Sequence, residues 1–282
     1  MAQVELRDLQ LFELEMLKDI KNVCEAHDLC YYLYSGTCLG AVRHHGFIPW
    51  DDDIDIAMPY PDFLRFLEIA QDALGEQYFL QTTDTDDSFQ FGYARVRRNN
   101  TTMIRSWDID TGHHGIWIDV FPLIGVGGKM DVRLKKFLIP VTNLLCSSDE
   151  LFENTRDWLI QCNGKAKVIA ISILRKLLGK HAKPLAKRIR RKLYSQTGKP
   201  NVAEAWGSIT AVVPAAAFDG EPAFLPFEDE LFPVPHDYDM MLRYKYGDYM
   251  QLPPEDKRHS NHGELLVDLE HDWETNKCLH AE

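Results

Sequence analysis

At 282 residues, with 45% hydrophobic and 26% charged side chains, the chain is long enough for one large domain or a core domain with an appendage, and apolar enough to bury a full core. Its net charge of −12 excludes a globally basic nucleic-acid binder, yet the charge is uneven: residues 158–203 hold twelve Lys and Arg and no acid, against 19 basic and 43 acidic residues elsewhere. The six cysteines form no CxxC pair or disulfide ladder, the charged first eight residues are no secretory signal, and no apolar run reaches the roughly 18–20 residues of a membrane span. These features predict reduced thiols and a cytoplasmic protein.

Leu6, Leu9, Phe12, Leu14, Leu17, Ile20 and Val23 recur at helical spacing and predict one amphipathic helix over 4–28. Residues 31–34 predict a short strand running into Ser35-Gly36-Thr37, a helix-start signal, with a helical turn or two over 39–43. After a loop at 44–50, a strand is expected over 52–58, closed by Pro59, and Pro61 opens a helix to about Leu74. Further strands are expected at 77–82, 91–98, 101–105 and 115–121, the last ending at Pro122. From about 129 to 196 the pattern becomes helical, including 132–145, 165–178 and 184–194. Extended segments return at 208–213 and 223–234, a last helix covers about 236–246, and a polar tail follows. The expected architecture is an α/β (α+β) body with an all-helical insertion: a catalytic core at 1–128, a basic insertion at 129–200, and a C-terminal part at 201–282 that completes the core.

Asp51, Asp52, Asp53 and Asp55 crowd four carboxylates into five positions. Asp is depleted from strands and like charges repel, so a bound hard divalent cation is the expected compensation. On a strand Asp53 and Asp55 share one face, leaving Ile54 and Ile56 for the other. Asp119, between Ile118 and Val120 on a later strand, offers a third carboxylate and completes a site for one or two metals that neutralise phosphate charge and activate a hydroxyl. An EF-hand is excluded because Ile56 and Asp62 stand where Gly and Glu are required. A solvated acidic turn is the alternative, against which the interleaved isoleucines speak.

Gly36 and Thr37, between strand and helix, offer amides and a hydroxyl to a phosphate, although Ser-Gly-Thr also serves as an ordinary N-cap. Arg95 and Arg97 share one face of a strand and, with Arg43, are candidates to hold phosphates or a leaving nucleotide; a solvent-facing basic edge is the other reading. His44-His45, His113-His114, and His259 with His262 have no cysteine beside them and read as loop polar groups, not a zinc site.

Residues 33–56, from Leu33-Tyr34-Ser35-Gly36-Thr37 to Phe47-Ile48-Pro49-Trp50-Asp51-Asp52-Asp53-Ile54-Asp55-Ile56, strongly resemble the signature of the LicD phosphotransferase family, which includes bacterial phosphorylcholine transferases and is related to the fukutin-type ribitol-phosphate transferases. Trp117-Ile118-Asp119-Val120-Phe121-Pro122-Leu123 and Tyr246-Gly247-Asp248-Tyr249-Met250 are similar to its downstream blocks, so the likeness reaches from about 28 to 254. The resemblance implies a nucleotidyltransferase-like mixed sheet with flanking helices, and transfer of a substituted phosphate from a CDP-linked donor to a sugar hydroxyl. It assigns donor phosphates to Gly36-Thr37 and metal, Mg²⁺ or Mn²⁺, to Asp53 and Asp55. Asp119 is implied to bind metal or activate the acceptor. Thr37 replaces the family's Ser and keeps its hydroxyl.

The resulting expectation is in-line attack by a hydroxyl of a cell-surface or lipid-linked glycan, such as lipopolysaccharide or teichoic acid, with release of CMP. The basic segment 165–199 alternates apolar and cationic stretches and suits an anionic membrane surface on the inner face of the cell membrane; a basic face docked on the acidic body is the competing reading. With Tyr194 as its one aromatic, the segment offers little stacking surface to nucleic acid. Two rival functions are a nucleotidyltransferase that moves NMP from an NTP to a small molecule, and a non-catalytic membrane adaptor.

Overall fold

The computed structural model describes residues 4–105, 112–154, 160–161, 164–260 and 265–280. Asp157, Cys162 and His262 lie outside them. The first half of the chain runs α1 (Leu6–Ala26), β1 (Tyr32–Leu33), α2 (Ser35–His44), β2 (Asp55–Pro59), α3 (Tyr60–Leu74), β3 (Tyr78–Gln81), β4 (Ala94–Arg98), β5 (Thr102–Arg105) and β6 (Trp117–Val126). A helical stretch follows: α4 (Lys129–Cys146), α5 (Asp149–Asn154), α6 (Lys165–Leu178) and α7 (Ala182–Tyr194). The chain then returns through β7 (Asn201–Glu204), β8 (Val213–Pro214), β9 (Ala223–Phe227), β10 (Glu230–Val234), α8 (Tyr238–Tyr246), β11 (Leu265–Asp268) and α9 (Trp273–His280).

Seven strands form one mixed sheet in the order β1-β2-β6-β4-β3, with β7 on the far half of β6 and β8 beyond β7. β2 and β6 run parallel, Asp55 beside Asp119 and Pro59 beside Leu123, while the other pairs are antiparallel. β6 is almost wholly buried, which explains its near-continuous apolar sequence. Where Pro122 was expected to end this strand, β6 continues to Val126. The Asp119 amide donates to Ile54 on the β2 side, so alternation turns position 122 the other way. There the β4 pairing stops at Val120 and the β7 pairing starts at Leu123, so the amide that proline lacks falls between two partners.

The core fills from both local periods. α1 buries Leu9, Leu14, Leu17 and Ile20, α3 buries Phe63, Phe66 and Ala70, and both pack against β6. A separate apolar cluster, including Leu144, Phe152, Val168, Ile171 and Ala186, lies within the helical stretch. Cys24, Cys30, Cys38 and Cys146 are free thiols. No helix among the described residues is long and apolar enough to cross a membrane.

Other differences from the sequence reading have physical causes. The acidic strand begins at Asp55, and Asp51–Asp53 precede it in a loop where the Asp51 amide closes a turn onto Ile48. β4 lies between β6 and β3, so the reading of Arg95 and Arg97 as a solvent-facing basic edge does not hold. The extended stretch at 208–213 shortens to a bridge between Ala205 and Ile209 followed by β8. The polar tail contains β11, paired with β5, and α9, neither of which has an apolar periodicity to signal it.

Candidate active site

The site forms where α2 begins and where β2 and β6 start to pair. Residues side by side on parallel strands project to the same face, so the Asp55 and Asp119 register places two carboxylates together. Arg95 continues the row from β4, in register with Asp119, and its Nε donates to Asp119 Oδ1 at 2.8 Å. Trp117 Nε1 donates to the other Asp119 oxygen at 3.3 Å. Both oxygens of Asp119 therefore hold donors that fix its orientation. Burial, then repulsion from Asp53 and Asp119, pushes the Asp55 carboxyl well above the usual carboxylate range.

The loop ahead of β2 supplies the rest of the acid. Oxygens of Asp51, Asp52 and Asp53 all lie within 4.8 Å of one another. Of these, Asp52 is buried and committed to protein, accepting from Ser260 Oγ at 2.8 Å and facing Arg105 Nη2 at 3.6 Å. Asp53 is 3.8 Å from Arg105 Nη1. Asp51 lies against the first turn of α2, where a Cβ on Gly36 would meet its Oδ2 at 2.8 Å. Only a glycine admits that approach. Behind the loop, Glu13 of α1 is buried with neither carboxyl oxygen hydrogen-bonded among the described residues. Burial and the charge of Asp53 drive its pKa well up. An all-oxygen set that raises its own neighbours' pKa values fits a hard divalent cation such as Mg²⁺, and fits a soft metal poorly.

The start of α2 is tied to these acids. Thr37 Oγ1 accepts from the Asp55 amide at 2.8 Å, fixing helix and strand together. Ser35 opens the helix with a left-handed φ of 46°, a strained backbone for a non-glycine residue. Its hydroxyl accepts from Lys245 Nζ at 2.7 Å, and the same ammonium lies 2.5 Å from Glu204 Oε2 and 4.5 Å above the Tyr34 ring. Thr210 Oγ1 donates to the second Glu204 oxygen at 2.5 Å. Ser35 is marked in the sequence only as part of a helix start, and Glu204 and Lys245 are not among the candidate residues. Lys245 immediately precedes the Tyr246 block, and that adjacency is the one signal the sequence carried.

The three candidate arginines take different places. Arg43 Nη1 donates to the Tyr249 carbonyl at 2.7 Å, tying the first signature block to the last. Arg95 lies 4.4 Å from the Trp117 ring and is flanked by Phe89 and Tyr93. Arg97 is buried, donates to Gln81 Oε1 at 2.6 Å and to the Gly115 carbonyl at 2.7 Å, and stacks on Trp117. Arg105 approaches the same ring at 4.8 Å. Trp117 thus gathers three guanidinium groups, two of which end on the site's carboxylates. Among the described residues no histidine joins the Asp51, Asp52 and Asp53 group; His113, held near Asn99 and stacked on Phe79, is pushed down to about 4 mainly by burial.

A helix start facing carboxylates on paired strand ends is the arrangement of a phosphate-handling transferase. The chain carries, at residues 28–137, a match to the nucleotidyltransferase domain described as LicD/FKTN/FKRP. It is 28% identical over 268 residues to the lipopolysaccharide cholinephosphotransferase LicD of Haemophilus influenzae, covering 93% of this chain and 97% of that protein. Shorter likenesses reach an uncharacterised protein of Rickettsia typhi, 42% identical over 65 residues (23% of this chain, 20% of that protein). Another from Rickettsia prowazekii is 41% identical over 55 residues, covering 20% of this chain and 21% of that protein.

Proposed function

We propose that the chain transfers phosphorylcholine, or a similar alcohol phosphate, from a CDP-linked donor to a hydroxyl of a cell-surface glycan such as lipopolysaccharide. The observation that carries this reading is the in-register Asp55 and Asp119 beside the start of α2, with Asp51 against Gly36. The near full-length likeness to a lipopolysaccharide cholinephosphotransferase supports the choice of group and acceptor.

In this reading the α2 amides at Gly36 and Thr37 hold donor phosphates, and Arg43 borders them. Asp53, Asp55 and Asp119 hold Mg²⁺ or Mn²⁺, with Asp51 within reach through the bare Gly36. The bound ion would supply positive charge to the transferring phosphate. Asp119, oriented by Arg95 and Trp117, takes the proton of the acceptor hydroxyl. The glycan oxygen bonds to the phosphorus that carries the alcohol, the bond from that phosphorus to the bridging oxygen breaks, and CMP leaves. Lys245 is a positioning residue: through Ser35 it fixes the strained first turn of α2. Arg97, held by Gln81 and Gly115, supports Trp117 more than it meets a ligand.

The test measures CMP release from CDP-choline, CDP-ribitol, CDP-glycerol and CDP-ethanolamine, with Mg²⁺ and with EDTA. Metal-dependent CMP release with one donor is expected. Pyrophosphate release from an NTP, with every CDP-alcohol inert, would replace this reading by NMP transfer.

A further inference from the structure

The helical stretch presents two kinds of surface. α7 faces the body: Lys183 pairs with Asp87 at 2.6 Å, Lys187 pairs with Asp84, and buried Arg190 donates to the Gln90 and Phe91 carbonyls and to Asn143. Arg175 of α6 is likewise turned inward, onto the Leu144 and Ser147 carbonyls and Asp149. The cations that a docked face would need are therefore in use on that side.

The opposite side is different. On α4, Met130, Leu134 and Phe137 follow one another at helical spacing and are exposed, Met130 by 74%. On α6, Ile169, Ile173 and Leu177 do the same, Leu177 by 80%. The two rows adjoin, because Lys167 Nζ of α6 lies 5.4 Å over the Phe137 ring of α4. Exposed cations border both rows: Lys129, Arg133 and Lys136 on α4, Lys165, Lys176 and Lys180 at the ends of α6. Asp131, the acid within the α4 run, is turned aside onto Lys135 and the Gly127 amide.

We propose that this α4–α6 face docks the protein on an anionic phospholipid bilayer, its apolar rows entering the interface and its cations resting among the headgroups. Apolar rows with a cationic border are the complement of such a surface. A second copy is the poorer occupant, since two faces of the same charge would repel. The inference stands apart from the chemistry proposed for the carboxylate site, and it moves the contact from 165–199 as a whole to α6 with α4, leaving Lys183, Lys187 and Arg190 of α7 to the body.

Flotation of the full chain with phosphatidylcholine vesicles, with and without phosphatidylglycerol, tests it. Wild type is expected to float with the anionic vesicles and to lose binding as salt rises. Two variants probe the two parts of the face: Ile173→Glu with Leu177→Glu, and Lys129→Gln with Arg133→Gln and Lys136→Gln. Each is expected to lower bound fraction about tenfold or more while circular dichroism and CMP release from soluble substrates stay unchanged. Absence of wild-type flotation, equal binding by the variants, or a salt-insensitive preference for neutral vesicles would overturn the proposal. So would a wild-type dimer in light scattering that the Glu variant dissociates, which would give the face to a second copy.

Discussion

Where β2 and β6 meet, carboxylates of one sign are pressed together, whereas on α4 and α6 ammonium and guanidinium groups of the other sign stand apart on long flexible stems. Burial, and then the neighbouring acids, raise the pKa of Asp55 and Glu13, so ionising these groups costs the folded chain stability. The spaced cations border apolar rows and cost the fold little, since water screens them. Crowding of like charge in a rigid frame suits the small hard ion proposed for it. Spreading it along two helices suits the extended partner proposed there.

The contrast is broken most severely at the carboxylate site. Asp55→Asn is expected to lower CMP release about 10²–10³-fold, the loss typical of removing one fixed group that stabilises transition-state charge. The same variant should lose the rise in melting temperature that Mg²⁺ gives wild type. Wild-type turnover in a folded Asp55→Asn protein would remove Asp55 from the mechanism.

The next effect is on stability. Lys245→Met leaves Glu204 charged, nearly buried and without its cation, and is expected to cost about 3–5 kcal/mol in urea unfolding. Adding Glu204→Gln should recover most of that loss, because the pair is then removed together. If the double variant regains stability but not turnover, Lys245 serves the site through Ser35. If it regains both, the pair serves the fold alone.

A smaller change follows pH. Without added cation, the raised Asp55 pKa means that the folded chain binds this proton more tightly than the unfolded chain. Asp55 thus favours folding below the ordinary carboxylate pKa of about 4, and that contribution is lost as pH rises toward the raised value. The stability of Asp55→Asn relative to wild type should therefore grow as pH increases above about 4, and Mg²⁺ should shrink the difference. Guanidinium titrations at matched pH values check both signs. The smallest effect lies where the helical stretch meets the body: Asp84→Asn and Asp87→Asn should each cost about 0.2–1 kcal/mol, as exposed ion pairs do. A loss near that of Lys245→Met would mean that α7 is held by its charges and not by packing.

The α/β class, the long periodic helices and the mixed character of the chain were legible in the sequence. α6 has the bounds that its apolar spacing predicts, and α1 and α3 differ by a residue or two. Pro122 misled because its tolerance depends on two other strands leaving a gap opposite it, which no local pattern records. Isoleucines alternating with aspartates suggest a strand from 52, yet Ile54 is buried just ahead of the strand, its carbonyl taking the Asp119 amide. The carboxylates at 53, 55 and 119 could be named as candidates; the register that sets Asp55 beside Asp119 could not be read locally. Glu204 and Lys245 stand 41 residues apart, and their meeting with Ser35 is a tertiary event with no spacing to announce it. Glu13 stands among the polar positions of an amphipathic helix, with nothing local to set it apart.

β6 has a consequence for how the protein can be divided. Its first half pairs with strands from residues 55–59 and 94–97, its second with residues 201–204 that arrive after the whole helical stretch. Residues 28–137, though they span the matched domain, would lack α1 and with it the Gln10 amide that holds the Ile48 and Asp51 carbonyls. They would also lack Lys245 and the cover on half of their central strand, whose bare edge would offer itself to other chains. The two flanks of the helical stretch therefore have to be kept together, and so do Ile139, Leu193 and Tyr194, the helix residues that reach the main core.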